Sequence, residues 1–251
     1  MKKKTTYTTA VITDIRNFTG LFENFQNRKS DDFINFLESY YKIQFDIARI
    51  ISDDIYINNT GDGVLTIFKD KKNHLEGYAY LLSVHRCIKR LCAEFSNITG
   101  EETSFGVGAD SGNVWDVGKN LNTRLDTYVG SVINRASRIE TNTKLFGGTN
   151  AAIGHHLYDK LLEDLYPDAH EFIKDYTGKY DKLLNENEEM VLISKELLIY
   201  YVFEMILKNI DKPFPLYRLS EYLAKDDEKF WNLISELLPT EKLNSLKEYI
   251  N

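Results

Sequence analysis

The stretch YINNTGDGVLTIF, from Tyr56 to Phe68, is the part of the sequence that decides the fold. Two apolar, β-branched runs flank Gly-Asp-Gly at residues 61–63, and this pattern predicts a β-hairpin with a tight turn. Asp62 therefore lies at the tip of the predicted hairpin. Because Asp-Gly is the most common pair in such turns, Asp62 taken alone is explained as a turn residue, and a functional role requires a partner elsewhere.

Strands and helices are predicted on both sides of this hairpin. The run TAVITDI at residues 9–15 predicts a strand, and Ser30 with the two aspartates after it predicts the start of a helix reaching about Ile51. The residues expected on the core face of this helix are Phe33, Leu37, Tyr40, Phe45 and Ile47. The segment TSFGVGADSG predicts a strand that runs into a turn. The element order β-α-ββ-α-β-β-α-β-α indicates an α/β protein with helices packed on a sheet.

The remainder of the chain predicts an interrupted domain with a helical tail. Residues 166–197 are polar and acidic without clear periodicity, and this indicates an insertion. The segments LLIYYVFEMIL and FPLYRL then return two strands, although the first is also compatible with a buried helix. We therefore expect one domain over residues 1–219, followed at residues 220–251 by an amphipathic helical tail that serves as an appendage or a dimer contact.

Composition and charge argue against several classes of protein. A chain of 251 residues that is 43% hydrophobic can bury a sizeable core. Its net charge of −7 argues against binding to duplex nucleic acid, which usually requires a basic face. The sequence has neither a signal peptide nor an apolar run of the roughly 20 residues that a membrane span needs. Its two cysteines, Cys87 and Cys92, lie in one predicted helix and make no disulfide framework, so we expect a cytoplasmic protein.

A second acid, Asp14, ends the first predicted strand. If the two strands are neighbours, Asp14 and Asp62 meet at one point at the sheet's edge, although Asp14 alone could also cap a helix. Mg²⁺ prefers hard oxygen ligands, commonly one or two carboxylates with substrate phosphates, and a pair of ions can clamp the oxygens of a phosphoryl transfer. A helix start predicted at residues 17–19 would offer free backbone N–H groups to phosphate oxygens.

Further along the chain, NRASR places Asn134 and Arg138 four residues apart, and therefore on one face of a helix. An arginine can neutralise the charge that grows on a transferring phosphoryl group, but an isolated pair at this spacing is more often part of a solvated surface. The neighbouring His155 and His156 point apart on a strand or helix, so we interpret them as ordinary surface or helix-start residues rather than as a metal site.

Taken together, these segments resemble the catalytic domain of the class III nucleotide cyclases, the adenylate and guanylate cyclases. The resemblance covers about residues 7–160 and 200–219, and the motifs occur in the family's order throughout. The segments that carry it are VITDIRNFT, NNTGDGVLTIF, SFGVGADSGNV, YVGSVINRASRIE, TNAAIGHHLYDKL and MILKNIDKPFPLYRL.

The resemblance implies a ferredoxin-like βαββαβ core in an α+β sandwich, and a head-to-tail homodimer whose two active sites lie at the interface. Asp14, Asp62 and the carbonyl of Ile15 would bind two Mg²⁺ or Mn²⁺ ions per site. From the other subunit, Asn134 would orient the ribose and Arg138 would stabilise the transition state. The substrate would be a nucleoside triphosphate, whose 3′-oxygen attacks the α-phosphorus to give a 3′,5′-cyclic monophosphate and pyrophosphate.

Further substrate contacts are implied at two places. Phe18 and Thr19 stand at the helix start after the first metal aspartate, where the phosphates would bind. Lys208 falls at the lysine of the family's closing segment and would contact the triphosphate, although Asn209 follows it where the family has glycine.

The base-recognition positions depart from the family. Adenylate cyclases place lysine and aspartate or threonine there, and guanylate cyclases place glutamate and cysteine, whereas this chain has Asn58 and Thr127. A shift of one residue in the alignment would bring Asp126 to the second position. Tyr56, on the same strand face as Asn58, would fill space that a purine's second ring would occupy. An asparagine amide can both donate and accept hydrogen bonds, which suits uracil or cytosine.

We therefore expect a cyclase that makes cUMP or cCMP, closest in kind to the bacterial anti-phage Pycsar cyclases, with UTP favoured over CTP as the substrate. The alternatives are an adenylate cyclase with an altered pocket, which Thr127 would suit, and a catalytically silent cyclase-like domain that binds nucleotide or a partner. Retention of both acids, the asparagine and the arginine argues against the silent domain.

Overall fold

A single mixed β-sheet forms the centre of the structure. The computed structural model describes residues 5–28, 30–117, 127–145, 150–168, 170, 196–205, 214–220 and 226–251. The strands are β1 (Thr5–Ile15), β2 (Ile55–Asn59), β3 (Gly63–Phe68), β4 (Phe105–Asp116), β5 (Tyr128–Val129), β6 (Ala151–Gly154), β7 (Ile199–Met205) and β8 (Phe214–Leu219). The helices are α1 (Phe18–Arg28), α2 (Asp32–Ile51), α3 (Asn73–Thr99), α4 (Ser131–Asn142), α5 (His155–Leu165), α6 (Asp227–Leu237) and α7 (Thr240–Ile250).

The strand order brings the predicted hairpin next to the first strand. The sheet runs β2-β3-β1-β4-β6-β8-β7, with β5 paired to β4. Strand β1 pairs antiparallel with both β3 and β4, whereas β4 and β6 run parallel. The order of strands and helices agrees with the prediction as far as α5, except that two helices, α1 and α2, lie between β1 and β2 where the predicted order has one. The segment LLIYYVFEMIL contributes a strand, β7, rather than a helix.

The two faces of the sheet carry different helices. On one face, α2 and α3 build the main hydrophobic core. On the other face, α4 packs through Val132 and Ala136 onto a small apolar cluster that includes Ala10 of β1. Because alternate residues of a strand point to opposite faces, Asp14 lies on the same face as Ala10. The end of β1 therefore presents its acid on the side of the sheet that carries α4.

Helix α2 spans the predicted residues, but its core face differs from the prediction. At its start, the Asp32 N–H donates a hydrogen bond of 3.2 Å to Ser30 Oγ. Four predicted core residues are buried or pack against the core: Phe33, Leu37, Tyr40 and Ile47. The prediction for Phe45 is wrong, since this side chain is only half-buried. Gln44 takes the core position beside it, and the cost of burying its amide is offset by a 2.6 Å hydrogen bond from Thr13 Oγ1 to Gln44 Oε1.

The turn predicted at the end of TSFGVGADSG is wrong, because β4 continues through Ser111 and Gly112 to Asp116. Ser111 lies opposite Thr9 in the register of β4 and β1, and their hydroxyl oxygens are 2.8 Å apart. A Cβ atom at Gly112 would crowd side chains of α4. The glycine therefore allows the helix to approach the sheet closely, and it does not mark a turn.

The C-terminal tail is helical, as predicted, and it packs on the main core. Phe230 and Ile234 of α6 and Leu246 of α7 are buried in the hydrophobic cluster that also contains α2 and α3. The boundary at residue 219 stays a prediction, and most of the insertion predicted at residues 166–197 lies outside the described residues. Over the part of the chain that the structure describes, no helix has the length and apolar character needed to cross a membrane.

Candidate active site

Two acidic residues meet where β1 ends and β3 begins. In the register of these antiparallel strands, Asp14 lies opposite Gly63, the residue that follows Asp62. The Ile15 N–H donates a hydrogen bond of 3.0 Å to the Asp62 carbonyl, which ties the end of β1 to the tip of the hairpin. The strands next to the two acids are therefore neighbours, which is the condition under which the acids are expected to meet.

The hairpin turn does not require an aspartate. The Thr60 N–H donates a 2.9 Å hydrogen bond to the Gly63 carbonyl, so Gly61 and Asp62 are the two central residues. Gly61 has a φ of 97°, which is the positive value that a type II′ turn needs at its first central position. The Tyr41 hydroxyl of α2 donates a hydrogen bond to the Gly61 carbonyl and so connects the turn to α2. Gly61 therefore accounts for the turn, and the turn gives no structural reason for the carboxylate of Asp62.

The charges at this point favour a bound cation. Burial raises the pKa of Asp14, and the negative charge of Asp62 raises it further, while Arg16 and Lys144 act in the opposite direction. Among the described residues, none donates a hydrogen bond to the Asp62 carboxylate. A divalent cation bound beside Asp14 and Asp62 would offset the repulsion that raises the pKa of Asp14. The residues present at this site therefore fit Mg²⁺ or Mn²⁺.

Backbone groups complete the predicted donor set. No cluster of three or more histidine, cysteine, aspartate or glutamate side chains suited to a metal occurs within the described ranges. Ile15 is 2% exposed, so its carbonyl is the group that it could offer to an ion. Hard cations such as Mg²⁺ commonly take one or two carboxylates and fill their remaining positions with phosphate and water oxygens. A site with two carboxylates therefore suits an ion that arrives with a nucleoside triphosphate.

Helix α1 begins directly after the first acid. Asn17 adopts a φ of 55° and turns the chain from β1 into the helix, which starts at Phe18. The Phe18 ring packs on Phe33 at 5.6 Å between centroids, so its backbone N–H is the group that this residue could offer to a substrate. Thr19 is exposed in the first turn. The first N–H groups of a helix lack partners within it and suit phosphate oxygens.

Helix α4 holds its two predicted catalytic residues away from the acids of the same chain. Val132 and Ala136 are buried against the sheet, whereas Asn134 is exposed and Arg138 is half-buried. At 3.6 residues per turn, Asn134 and Arg138 share one face, and that face lies on the opposite side of the helix from Val132 and Ala136. The structure therefore brings Asp14 and Asp62 together but does not bring Asn134 and Arg138 to them.

Solved structures with this architecture are nucleotide cyclase domains. The adenylyl cyclase CyaB from P. aeruginosa matches with a TM-score of 0.61 and 17% identity, over 87% of this chain and 96% of that one. The guanylyl cyclase Cya2 matches with a TM-score of 0.58 and 17% identity, over 87% and 94% of the two chains. The guanylate cyclase domain of RhGC from Catenaria anguillulae, in complex with GTP, matches with a TM-score of 0.55 and 18% identity, over 86% and 97%.

The fold is that of the class III nucleotide cyclase domains. The predicted α+β core is thereby confirmed. At these identities the likeness establishes the fold of the chain and not its reaction. No family model matches the sequence. No curated protein matches it either.

Two tyrosines next to the predicted base-recognition positions contact each other, although their strands are not neighbours in the sheet. The rings of Tyr56 in β2 and Tyr128 in β5 make an edge contact at 4.9 Å between centroids. Asn58, two residues after Tyr56 on the same strand face, is exposed, and so is Thr127, which directly precedes Tyr128. Asp126 and Lys208 lie outside the described residues. Asn58 and Thr127 therefore lie next to a pair of tyrosines in edge contact, on the side of the sheet that carries α4.

Two buried ion pairs that hold α4 to the sheet were not predicted from the sequence. Arg16 Nη1 lies 2.8 Å from Glu140 Oε1, next to the predicted metal site. Asp110 is fully buried and accepts hydrogen bonds from Arg135 and from the backbone of α5, and His156 Nδ1 lies 3.2 Å from it. His156 is thus a helix-start residue with a structural partner. The only sequence signals were charged residues beside the quoted motifs, in TDIRNF, GADSG and SRIE.

Proposed function

We propose that this protein is a nucleotide cyclase that converts a nucleoside triphosphate into its 3′,5′-cyclic monophosphate and pyrophosphate. The observation that carries this proposal is the meeting of Asp14 and Asp62 at one edge of a cyclase fold, in a turn that glycine alone accounts for. Burial and the negative charge of Asp62 raise the pKa of Asp14, and a bound cation would offset both effects.

Each residue then has a role in binding or in charge stabilisation. Asp14, Asp62 and the Ile15 carbonyl hold two Mg²⁺ or Mn²⁺ ions, which when bound lower the pKa of the ribose hydroxyl and neutralise phosphate charge. The backbone N–H groups of Phe18 and Thr19 bind phosphate oxygens. The 3′-oxygen loses its proton and attacks the α-phosphorus, and the bond to the pyrophosphate oxygen breaks. The chain supplies orientation and electrostatic stabilisation, and it needs no covalent nucleophile.

The active site is completed by a second copy of the chain. Asn134 and Arg138 lie on the side of α4 that faces away from the sheet, so they are available to another molecule and not to their own acids. In a two-fold symmetric homodimer each copy gives Asp14 and Asp62 to one site and α4 to the other. Asn134 orients the ribose, and Arg138 neutralises charge in the transition state. Lys208 would contact the triphosphate.

The favoured substrate is a pyrimidine nucleotide, UTP before CTP, and the product would act as a second messenger in bacterial anti-phage defence. Support comes from the base-recognition strands, where Asn58 offers an amide and the contact between Tyr56 and Tyr128 occupies space beside it. A pyrimidine has one ring and presents donors and acceptors that an amide can match. The alternative is ATP, which Thr127 favours and which agrees with the similarity to an adenylyl cyclase structure.

Incubation with each of the four nucleoside triphosphates and Mn²⁺ tests the reaction and the base together. We expect cyclic product from UTP, less from CTP, and a loss of at least about 100-fold in turnover with Asp62→Ala, the scale on which one charge-stabilising group contributes. Circular dichroism should show an unchanged fold in this variant because Gly61 makes the turn. Product from ATP alone would refute the pyrimidine proposal. Nucleotide binding without any cyclic product would refute the cyclase.

Mixing two inactive variants tests the shared site. Asp62→Ala protein lacks one of the two metal acids but keeps α4, whereas Arg138→Ala protein keeps both acids. A mixed dimer therefore contains one complete site, and random pairing of equal amounts should restore about a quarter of wild-type activity. Either variant assayed alone is the control. Absence of recovery in dimers purified by two different affinity tags would contradict the shared site.

A further inference from the structure

The Arg16 side chain joins the end of β1 to the C-terminal end of α4. Arg16 Nη1 lies 2.8 Å from Glu140 Oε1. Arg16 Nη2 donates to the Glu140 carbonyl at 3.1 Å and to Thr143 Oγ1 at 2.5 Å. The guanidinium therefore holds both a side chain and a backbone carbonyl at the last turn of the helix, where carbonyl groups lack partners within the helix and favour a cation.

This ion pair occupies a space that the sheet leaves for it. The Arg16 and Glu140 side chains are 15% and 5% exposed, so both are largely removed from water. A Cβ atom at Gly106 of β4 would collide with the Glu140 carboxylate and the Arg16 guanidinium. A Cβ atom at Gly108 would collide with the α4 backbone at Glu140 and Ala136. Because Gly106 and Gly108 have no side chains, β4 leaves room for the ion pair and for the end of α4.

The pair connects parts of the chain that belong to different active sites. Arg16 follows the metal acid Asp14 by two residues, and Glu140 follows Arg138 by two residues. Near this end of α4 the other buried side chains, such as Ala136 and Ile139, are apolar, and the second ion pair of the helix lies more than one turn earlier. Apolar packing is non-directional, whereas the two hydrogen bonds that Arg16 Nη2 donates at the end of α4 fix rotation and position along the helix axis. Small displacements of a catalytic group cost large factors in rate.

We propose that Arg16 and Glu140 are positioning residues, which fix the α4 helix of one protomer to the end of β1 so that Asn134 and Arg138 are correctly placed in the active site of the partner. This inference rests on the proposed shared site. A different role would confine the effect of Arg16 to its own protomer, where its positive charge lies near Asp14. The positioning role predicts a loss of activity when Arg16 is changed in the chain that supplies α4 to the working site. The local role predicts that loss when Arg16 is changed in the chain that supplies the acids, so a mixed dimer distinguishes the two.

The test uses the mixed dimer with a single working site. The Asp62→Ala chain supplies only α4 to that site, and the Arg138→Ala chain supplies only the acids. Adding Arg16→Ala to the Asp62→Ala chain should lower kcat by about 10-fold, because α4 loses its anchor. The Mn²⁺ concentration for half-maximal activity should stay unchanged, since the acids of the working site lie in the other chain.

Two further variants make the result decisive. Glu140→Gln in the Asp62→Ala chain keeps the shape of the side chain, removes its charge and should also lower kcat. Arg28→Ala in the same chain breaks an ion pair with Glu101 at the surface and should leave kcat as it is in the parent. Loss only when Arg16→Ala is placed in the Arg138→Ala chain, or no loss in either, would overturn the inference. An inactive parental mixed dimer would instead refute the shared site, and the inference with it.

Discussion

The Glu140 carboxyl lies in surroundings that oppose its ionisation. Burial raises its pKa to about 7, and the negative charge of Asp14 adds to the effect, whereas Arg16 lowers it. Burying an ionised carboxylate is unfavourable even beside an arginine, because the ion pair offsets only part of the free energy lost on removal from water. Glu140 therefore titrates in the folded protein near neutral pH, above the ordinary value of 4.5.

This raised pKa predicts that the free energy of unfolding changes with pH. Between pH 4.5 and about 7 the folded protein keeps a proton on Glu140 that the unfolded chain has released. The free energy of unfolding should therefore fall as the pH rises through this window, by about 1–3 kcal/mol, and Glu140→Gln should abolish that part of the slope. Urea unfolding at several pH values measures it. Glu101→Gln, at a partly exposed ion pair, is the control and should keep the wild-type slope.

At the level of single residues, the sequence allowed two acids at strand ends to be paired but did not predict the contacts of α4. Asp14 and Asp62 could be paired because each ends or begins a strand that the pattern predicts. The Arg16 to Glu140 pair could not be found in this way, since the two residues are 124 positions apart and either charge is equally consistent with a solvated surface. Only the packing of α4 on the glycines of β4 brings them together.

At the level of elements, periodicity predicted helices and strands correctly where one face is apolar. It failed where a polar residue is buried with a partner, as at Gln44, or where a glycine serves packing rather than a turn, as at Gly112. Both cases depend on a neighbouring element that local sequence does not contain. The pattern also could not say where the C-terminal helices pack, because an amphipathic face indicates burial but not the surface that covers it.

The packing of α6 predicts that the tail unfolds with the sheet. Phe230 is 1% exposed, and the Arg86 guanidinium of α3 lies 4.6 Å from the centre of its ring. Phe230→Ala should destabilise the protein by about 3–5 kcal/mol, as for other buried phenylalanines. Ile98→Ala, at a side chain that is 75% exposed, should change stability little. A separate early transition in urea, with the main transition unmoved, would instead make residues 220–251 an independent unit.

At the level of the whole molecule, the order of motifs was sufficient to predict the fold. The sheet and helices match cyclase domains at 17% identity, which means that the architecture is retained while most side chains differ. The substrate could not be predicted from the resemblance, because the residues at the predicted base-recognition positions differ from those of adenylate and guanylate cyclases. The base that Asn58 and Thr127 would bind depends on the side chains around them, and in the proposed dimer a partner chain contributes to those surroundings.

The outward face of α4 has a consequence for genetics. With a shared site, an Asp62→Ala copy that pairs with a wild-type copy still completes one site, so equal co-expression should leave total activity near that of the wild-type chains alone. A copy with both Asp62→Ala and Arg138→Ala completes none, and it should lower the activity to about half. Cyclic nucleotide assays on co-expressed chains measure the difference. Two lesions that are each recessive would become dominant when one chain carries both.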